Sequence, residues 1–104
     1  VIFHLLQNAA FASLKNDSKK PQVCLKVSKI NEFLILNIED SGVGVPEDKI
    51  PALFSGLFHS NYKGESVGIG LNTCKRIIES IGGTIRFVKN EPTTFEVGIP
   101  LKLN

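Results

Sequence analysis

The sequence predicts an α+β fold, a two-layer sandwich in which helices cover one face of a β-sheet. Apolar residues recur every three or four positions in two segments, as in amphipathic helices. They alternate with polar residues in shorter segments that come in two pairs, as in strands. The chain has 104 residues, of which 42% are hydrophobic and 21% charged. This suits one domain with an ordinary core, so we expect residues 1–104 to form a single domain.

The first predicted helix spans residues 1–15 and is followed by a polar loop, 16–21, that ends in proline. Its apolar residues share one face of the helix: Ile2, Leu5, Leu6, Ala9 and Ala12. His4, Asn8 and Phe11 share a different face.

A hairpin is predicted next. Residues 22–30 alternate, which predicts a half-buried strand, and Asn31-Glu32 forms a short turn. Residues 33–39 carry apolar side chains on both faces, which predicts a central strand. Two glycines and Pro46 then predict a turn of special geometry.

The second half begins with a short predicted helix at 47–54 and a loop at 55–67. A second long helix is predicted at 69–80, and Gly82-Gly83 ends it. Its expected buried stripe comprises Leu71, Cys74, Ile77, Ile78 and Ile81. Strands are predicted at 84–89 and 94–101, with a turn around 90–93.

Composition excludes several classes of partner. Twelve basic residues against ten acidic ones give a net charge of +2, too balanced for a nucleic-acid or membrane surface. Cys24 and Cys74 lie in apolar segments without metal-ligand spacing, so we expect buried side chains in a reducing compartment, with a disulfide as the alternative. The chain opens inside a helix with no start signal, and we expect an N-terminally truncated piece of a larger protein.

Asp40 opens the first of two glycine-rich segments, Asp40–Gly44. A carboxylate at the end of a strand can accept a hydrogen bond from an exocyclic amine. Gly42 and Gly44 let the backbone approach a flat ring. The same residues also fit a tight turn with a solvated aspartate.

The second glycine-rich segment, Gly68–Leu71, leads into a helix N-terminus, where free amides and the helix dipole favour phosphate oxygens. It lacks the preceding strand and third glycine of a dinucleotide fingerprint, and an ordinary loop–helix junction is the alternative. Asn8 offers an amide oxygen suited to Mg²⁺, with His4 one turn earlier. Such polar pairs on helices also commonly face solvent.

In order and spacing these segments resemble the ATP-binding domain shared by histidine kinases, type II topoisomerases, Hsp90 chaperones and MutL repair proteins. Phe3–Ala9 resembles the N box of that family, Asp40–Gly44 its G1 box, and Ser66–Leu71 its G2 box. Gly82–Thr84 is similar to the turn after the G2 helix, and Thr93–Phe95 to the closing strand. The resemblance implies the Bergerat-type fold, with helices on one face of a mixed sheet.

Two features resemble the histidine-kinase branch. Leu53–Phe58 is similar to the F box that precedes a short ATP lid. Hydrolytic members and serine-directed kinases carry a Glu four residues before the magnesium-binding Asn, where this chain has His4. An acceptor histidine brings its own nucleophilic nitrogen and needs such a base less. The alternatives are an ATP hydrolase or serine kinase of the same superfamily, and a non-catalytic docking module.

The resemblance also implies roles for individual residues. Asn8 would hold Mg²⁺, and His4 and Asn8 would be the catalytic residues. Asp40 would accept the adenine amine while Gly42 and Gly44 admit the base. The residues expected to cradle phosphates are Gly68, Ile69, Gly70 and Leu71. The remaining expected ATP-site residues are Phe54 and Phe58 at the lid base, Lys63 in the lid, and Thr94 at the edge of the adenine pocket. Lys63 could equally be a solvated lysine.

The implied partners are ATP, a histidine on an upstream dimerisation domain of the same protein, and the receiver domain of a response regulator. Neither His4 nor His59 lies in an acceptor motif, so we expect the acceptor histidine elsewhere. The domain is expected to be cytoplasmic, in a parent sensor that can itself be membrane-anchored. We expect it to contact neither nucleic acid nor membrane directly.

Overall fold

The computed structural model describes residues 1–54 and 70–101. Its elements are α1 (Ile2–Leu14), β1 (Val23–Ile30), β2 (Phe33–Asp40), a 3-10 helix (Glu47–Ala52), α2 (Leu71–Ser80), β3 (Thr84–Asn90) and β4 (Thr93–Pro100). Each predicted element is present, with bounds within two residues of those expected. The loop predicted at 55–67 lies outside the described residues.

The four strands form one sheet in the order β1-β2-β4-β3. Every neighbouring pair is antiparallel, which corrects the mixed sheet that the family resemblance implied. β2 is central, as its apolar residues on both faces predicted, and it pairs with β1 through the expected hairpin. Asn31 in that hairpin turn has a φ of 54°, a left-handed conformation that asparagine tolerates better than most residues.

The core lies between the helices and one face of the sheet. α1 packs mainly over β2, and α2 packs over β3. The buried residues of this core are Leu5, Ala9, Leu36, Ile38, Cys74, Ile78, Ile85 and Val97. Burial of aliphatic side chains contributes about 25 cal/mol per Å² of apolar surface, so this layer stabilises the fold. The two-layer architecture is therefore confirmed.

Strand β1 differs from its prediction. All of its residues are exposed, and Val27 keeps 56% of its surface accessible, where a half-buried strand was expected. The reason is that β1 is an edge strand of the described sheet, while α1 covers mainly the neighbouring β2. Cys24 lies on this strand and is exposed as well, so the prediction that both cysteines are buried was wrong for Cys24.

The buried stripe of α2 is narrower than predicted. Cys74 and Ile78, one turn apart, are buried, whereas Ile77 and Ile81 are 45% and 42% exposed. The helix contacts chiefly the edge strand β3, which covers a single row of its side chains. Burial raises the pKa of the Cys74 thiol, and both cysteines are free. Neither described helix is long and apolar enough to cross a membrane.

Candidate functional site

Asp40, the last residue of β2, carries a nearly buried carboxyl group. The backbone N–H of Gly42 donates to its Oδ1 at 2.8 Å. Burial raises the pKa of Asp40 because the charged form loses its hydration, and the Gly42 hydrogen bond opposes that shift. The carboxylate therefore has one oxygen held by the backbone, and in the described part of the chain nothing else donates to it.

The loop that follows, Ser41–Pro46, packs against α1. A Cβ atom on Gly42 would lie 2.9 Å from the Cβ of Ala12 and 2.7 Å from Oδ1 of Asp40. Gly42 is therefore required for the loop to approach the helix so closely. Ala12 follows Asn8 by four residues and lies about 40° from it around the helix, at the border between the apolar face and the face of Asn8, so the loop meets α1 beside the Asn8 face. Access for a base, the role expected of Gly42, stays a prediction.

The first residue of this loop is fixed by polar side chains that our sequence reasoning missed. The Ser41 N–H donates to Oγ of Ser13 at 3.1 Å, and Nδ2 of Asn16 donates to the Ser41 carbonyl at 2.8 Å. Ser13 and Asn16 are both buried at the end of α1. A serine or asparagine near a helix end carries no sequence signal that identifies its distant partner.

The other end of the loop is fixed by Asn90, the last residue of β3. Oδ1 of Asn90 accepts from the Val45 N–H at 2.7 Å, and Nδ2 donates to the Val45 carbonyl at 2.9 Å. Gly44, just before Val45, has a φ of +87°, which side chains disfavour. The prediction of a turn with special geometry is confirmed at Gly44. The spacing of residues along the chain does not indicate that Asn90 pairs with this turn.

Strand register places two adjacent threonines of β4 on opposite faces of the sheet. Thr93 is the cross-strand partner of Asp40 and lies on the helix side of the sheet, in line with Phe95 and Val97. Thr94 pairs with Glu39, on the opposite face, and its hydroxyl donates to the Pro92 carbonyl at 2.7 Å. Thr93 thus shares the face of Asp40, whereas Thr94, the threonine expected at the edge of the pocket, lies on the opposite face, and its role in binding stays a prediction. The two threonines are indistinguishable by type, and side chains alternate faces along a strand.

His4 and Asn8 are half-buried on α1. Nδ1 of His4 is buried and has no hydrogen-bond partner among the described residues, and its ring packs edge-on against Phe3 at 5.8 Å between centroids. Within 1–54 and 70–101, the Asn8 amide has no partner either. A half-buried amide oxygen that is not engaged can ligate a hard cation.

The N-terminus of α2 begins at the end of the predicted phosphate-binding segment. Gly70 is its N-cap and is exposed, and no side chain caps the helix in the described structure. The first turn also carries no acidic residue, and the Thr73 and Cys74 amides donate to the Gly70 carbonyl, so among the described residues the Leu71 and Asn72 amides are those without an intrahelical acceptor. Gly68 and Ile69, the other half of the predicted phosphate-binding segment, lie outside the described residues.

Phe54 packs as a structural residue. Its ring meets Phe95 edge-on at 6.3 Å, and Nζ of Lys75 lies 5.8 Å from its centroid. It therefore ties the end of the first described segment to β4 and α2, and its expected place at the base of the lid stays a prediction. Phe58 and Lys63 lie outside the described residues.

Comparison with known proteins bears on this arrangement. Residues 1–103 match the family model "Histidine kinase-, DNA gyrase B-, and HSP90-like ATPase". The chain is 29% identical to the CAI-1 autoinducer sensor kinase/phosphatase CqsS of Vibrio cholerae over 95% of its length. It is 33% identical to the sensor protein KdpD of Clostridium acetobutylicum over 99% of its length. It spans only 14% and 12% of those two proteins.

Solved structures support the fold. The catalytic domain of histidine kinase ThkA superposes with a TM-score of 0.78 at 28% identity, over 95% of this chain and 62% of that one. The mycobacterial sensor histidine kinase MprB superposes with a TM-score of 0.76 at 24% identity, over 99% of this chain and 69% of that one. At its lower identity the second comparison shows the fold alone.

Proposed function

This chain belongs to the histidine kinase-, DNA gyrase B-, and HSP90-like ATPase family, and we propose that it serves as the ATP-binding catalytic domain of a sensor histidine kinase. The observation that carries the proposal is Asp40, a nearly buried carboxylate beside Gly42. Its neighbouring loop packs on α1 beside the face that bears Asn8. Residues 1–104 would act as one catalytic unit within a longer signalling protein.

Adenine would bind at the Asp40 end of the site. Because Gly42 engages Oδ1, the second carboxylate oxygen is available to accept from the exocyclic amine of the base. Thr93, opposite Asp40 in the sheet, would complete this end of the pocket. Because Gly42 and Gly44 have no side chains, the backbone could approach the adenine ring closely.

The phosphates would lie towards α2, whose open N-terminal amides at Gly70 and Leu71 favour negative charge. We expect Gly68, Ile69 and Lys63 to contribute there as well. Asn8, with its unengaged amide oxygen, would hold Mg²⁺ together with phosphate oxygens, and the bound ion would neutralise phosphate charge. The described residues contain no cluster of His, Cys, Asp and Glu suited to a metal, which fits an ion held largely by the nucleotide.

The chemical step would be positioning of the γ-phosphate for attack by a histidine nitrogen on a separate dimerisation domain. The phosphoryl group would then pass to an aspartate of a receiver domain. His4, at the position where hydrolytic members carry a Glu, is not needed as a base for such a nucleophile.

Radiolabelled ATP tests the proposal directly. The purified chain should bind ATP in the presence of Mg²⁺ and should acquire no stable label by itself. It should label a histidine when mixed with the dimerisation domain of its own parent protein. Stable self-labelling of the chain, or the absence of binding at millimolar nucleotide, would contradict this function.

The rival reading as an ATP hydrolase or serine kinase makes a different prediction for His4. If His4 served as a base, His4→Ala would abolish turnover. As a histidine kinase, the protein should lose only a modest part of its transfer rate, because the acceptor supplies the nucleophile.

A further inference from the structure

A side chain outside the four family boxes fixes the loop that follows Asp40. Asn90 uses both ends of its amide on one residue, accepting from the Val45 N–H at 2.7 Å and donating to the Val45 carbonyl at 2.9 Å. A neighbouring strand would satisfy the two backbone groups in the same way. Asn90 thus joins the loop to the end of β3, 45 residues further along the chain.

The loop conformation is fitted to this contact. The positive φ of Gly44 turns the chain just before Val45. A Cβ atom on Gly44 would lie 2.5 Å from Oδ1 of Asn90, so the backbone passes directly against the amide. Any larger residue at Gly44 would separate the two groups.

Asn90 also belongs to a row of residues across the sheet. It is the cross-strand partner of Thr93, which is in turn the partner of Asp40. The far end of the loop is therefore held to the same row of the sheet as its near end. Ser13 and Asn16 hold the near end at Ser41, so the residues between are fixed at both sides.

We infer that Asn90 is a positioning residue for nucleotide binding, an inference that rests on the function proposed above. It acts through the backbone of Val45 and does not itself touch the ligand. A glycine-rich loop without this contact would have many conformations. Ordering the loop on binding would then cost conformational entropy and weaken the affinity for the nucleotide. With the contact, the loop beside Asp40 is ordered before the base arrives.

Asn90→Ala tests the inference, with Asn37→Ala as the matched control. Asn37 is a half-buried asparagine on the outer face of β2, where it pairs with Lys26 and Glu96. We expect Asn90→Ala to weaken ADP binding about tenfold, and adenosine binding by the same factor, because the lost contact acts at the base end. Asn37→Ala should leave both affinities within about twofold of the unsubstituted chain.

Amide hydrogen exchange distinguishes a local effect on the loop from a general loss of stability. In Asn90→Ala the Val45 amide should lose protection while the amides of β2 keep theirs. If Asn90→Ala does not fold, Asn90→Asp replaces it. That variant keeps the acceptor for the Val45 N–H and sets an oxygen against the Val45 carbonyl, so binding should again weaken.

The outcomes separate the two proposals. A folded Asn90 variant that binds ADP as tightly as the unsubstituted chain overturns the positioning role and leaves the proposed function intact. If Asn37→Ala weakens ADP binding as much as Asn90→Ala does, the positioning role is also overturned, because the loss would not be specific to Asn90. An unsubstituted chain that binds neither ADP nor ATP overturns the proposed function and the positioning role together.

Discussion

Thr93 stands directly opposite Asp40 in the antiparallel pairing of β2 with β4. Both are nearly buried, and both lie at the end of the sheet where the Ser41–Pro46 loop begins. Thr94, one residue further on, is equally buried but belongs to the other face. The candidate adenine pocket therefore depends on strand register.

Removing the Thr93 hydroxyl should weaken nucleotide binding more than removing that of Thr94. The Thr93 hydroxyl donates to the Asn90 carbonyl at 3.3 Å, and its oxygen can still accept from a ligand. We expect roughly a fivefold to tenfold loss of ATP affinity for Thr93→Val, since one hydrogen bond to a ligand contributes about 1 kcal/mol. Thr94→Val is the matched control, with the same change on the opposite face. Isothermal titration calorimetry measures the ATP affinity of both variants. A larger loss of affinity for Thr94→Val than for Thr93→Val would contradict the placement of the pocket.

Asp40→Asn should weaken ATP binding by about tenfold to a hundredfold, because hydrogen bonds to charged groups contribute about 1.5–3 kcal/mol. The Gly42 N–H requires an acceptor at the Oδ1 position. The new amide nitrogen must then replace the free oxygen and face the adenine amine, donor against donor. Retention of full affinity in a titration would show that Asp40 does not receive the base.

The same substitution should change stability with pH. Burial raises the pKa of Asp40 in the folded chain above its ordinary value of 3.8. The folded state then binds this proton more tightly than the unfolded state, so the free energy of unfolding falls as pH rises from 3.8 through the raised pKa. Asparagine does not titrate. Asp40→Asn should therefore gain stability over the unsubstituted chain as pH rises, as measured by urea unfolding at acidic and neutral pH. If the difference in free energy of unfolding between the variant and the unsubstituted chain does not vary with pH, this prediction is wrong.

Gly44→Ala should destabilise the chain more than Gly82→Ala. Both glycines have positive φ values, +87° and +81°, so alanine is strained at each. At Gly82 the nearest atom to the new Cβ is 3.7 Å away, whereas at Gly44 it is Oδ1 of Asn90 at 2.5 Å. We expect losses of about 1 kcal/mol at Gly82 and about 2–4 kcal/mol at Gly44 in the free energy of unfolding. Equal losses in urea titrations would indicate that strain alone matters at Gly44.

Asn8→Ala should remove the dependence of ATP binding on Mg²⁺. The unsubstituted chain should bind ATP more tightly with Mg²⁺ than in a chelator, whereas the variant should bind equally in both. Gln7→Ala is the control, because it removes a neighbouring amide that points about 100° away around the helix. Persistence of the Mg²⁺ effect in Asn8→Ala would place the metal ligand elsewhere.

Much of the architecture was predictable because the signals are local. The three- and four-residue spacing of Leu5 and Ala9 marks a helix face, and apolar residues on both sides of β2 mark a central strand. The glycines at 42 and 44 likewise mark the loop that the structure forms there. Each of these patterns concerns residues that are neighbours in the chain.

The predictions of burial that were wrong, for β1, α2 and Cys24, share a different cause. Whether Val27 or Ile77 is covered depends on which strand or helix lies above it, and the pattern of its own segment does not contain that information. For the same reason Cys24 resembled a buried residue although it lies on an exposed edge strand.

By itself the sequence determined the order of helices and strands, the two glycine-rich segments, and Asn8 and Asp40 as the polar residues beside them. Only the tertiary structure decided that Thr93 and not Thr94 lies on the same face as Asp40, and that Asn90 holds Val45. Side chains alternate along a strand, so a shift of one residue in pairing reverses every face. Contacts between residues 45 positions apart follow from how the whole sheet is assembled, which the spacing of residues along the chain does not specify.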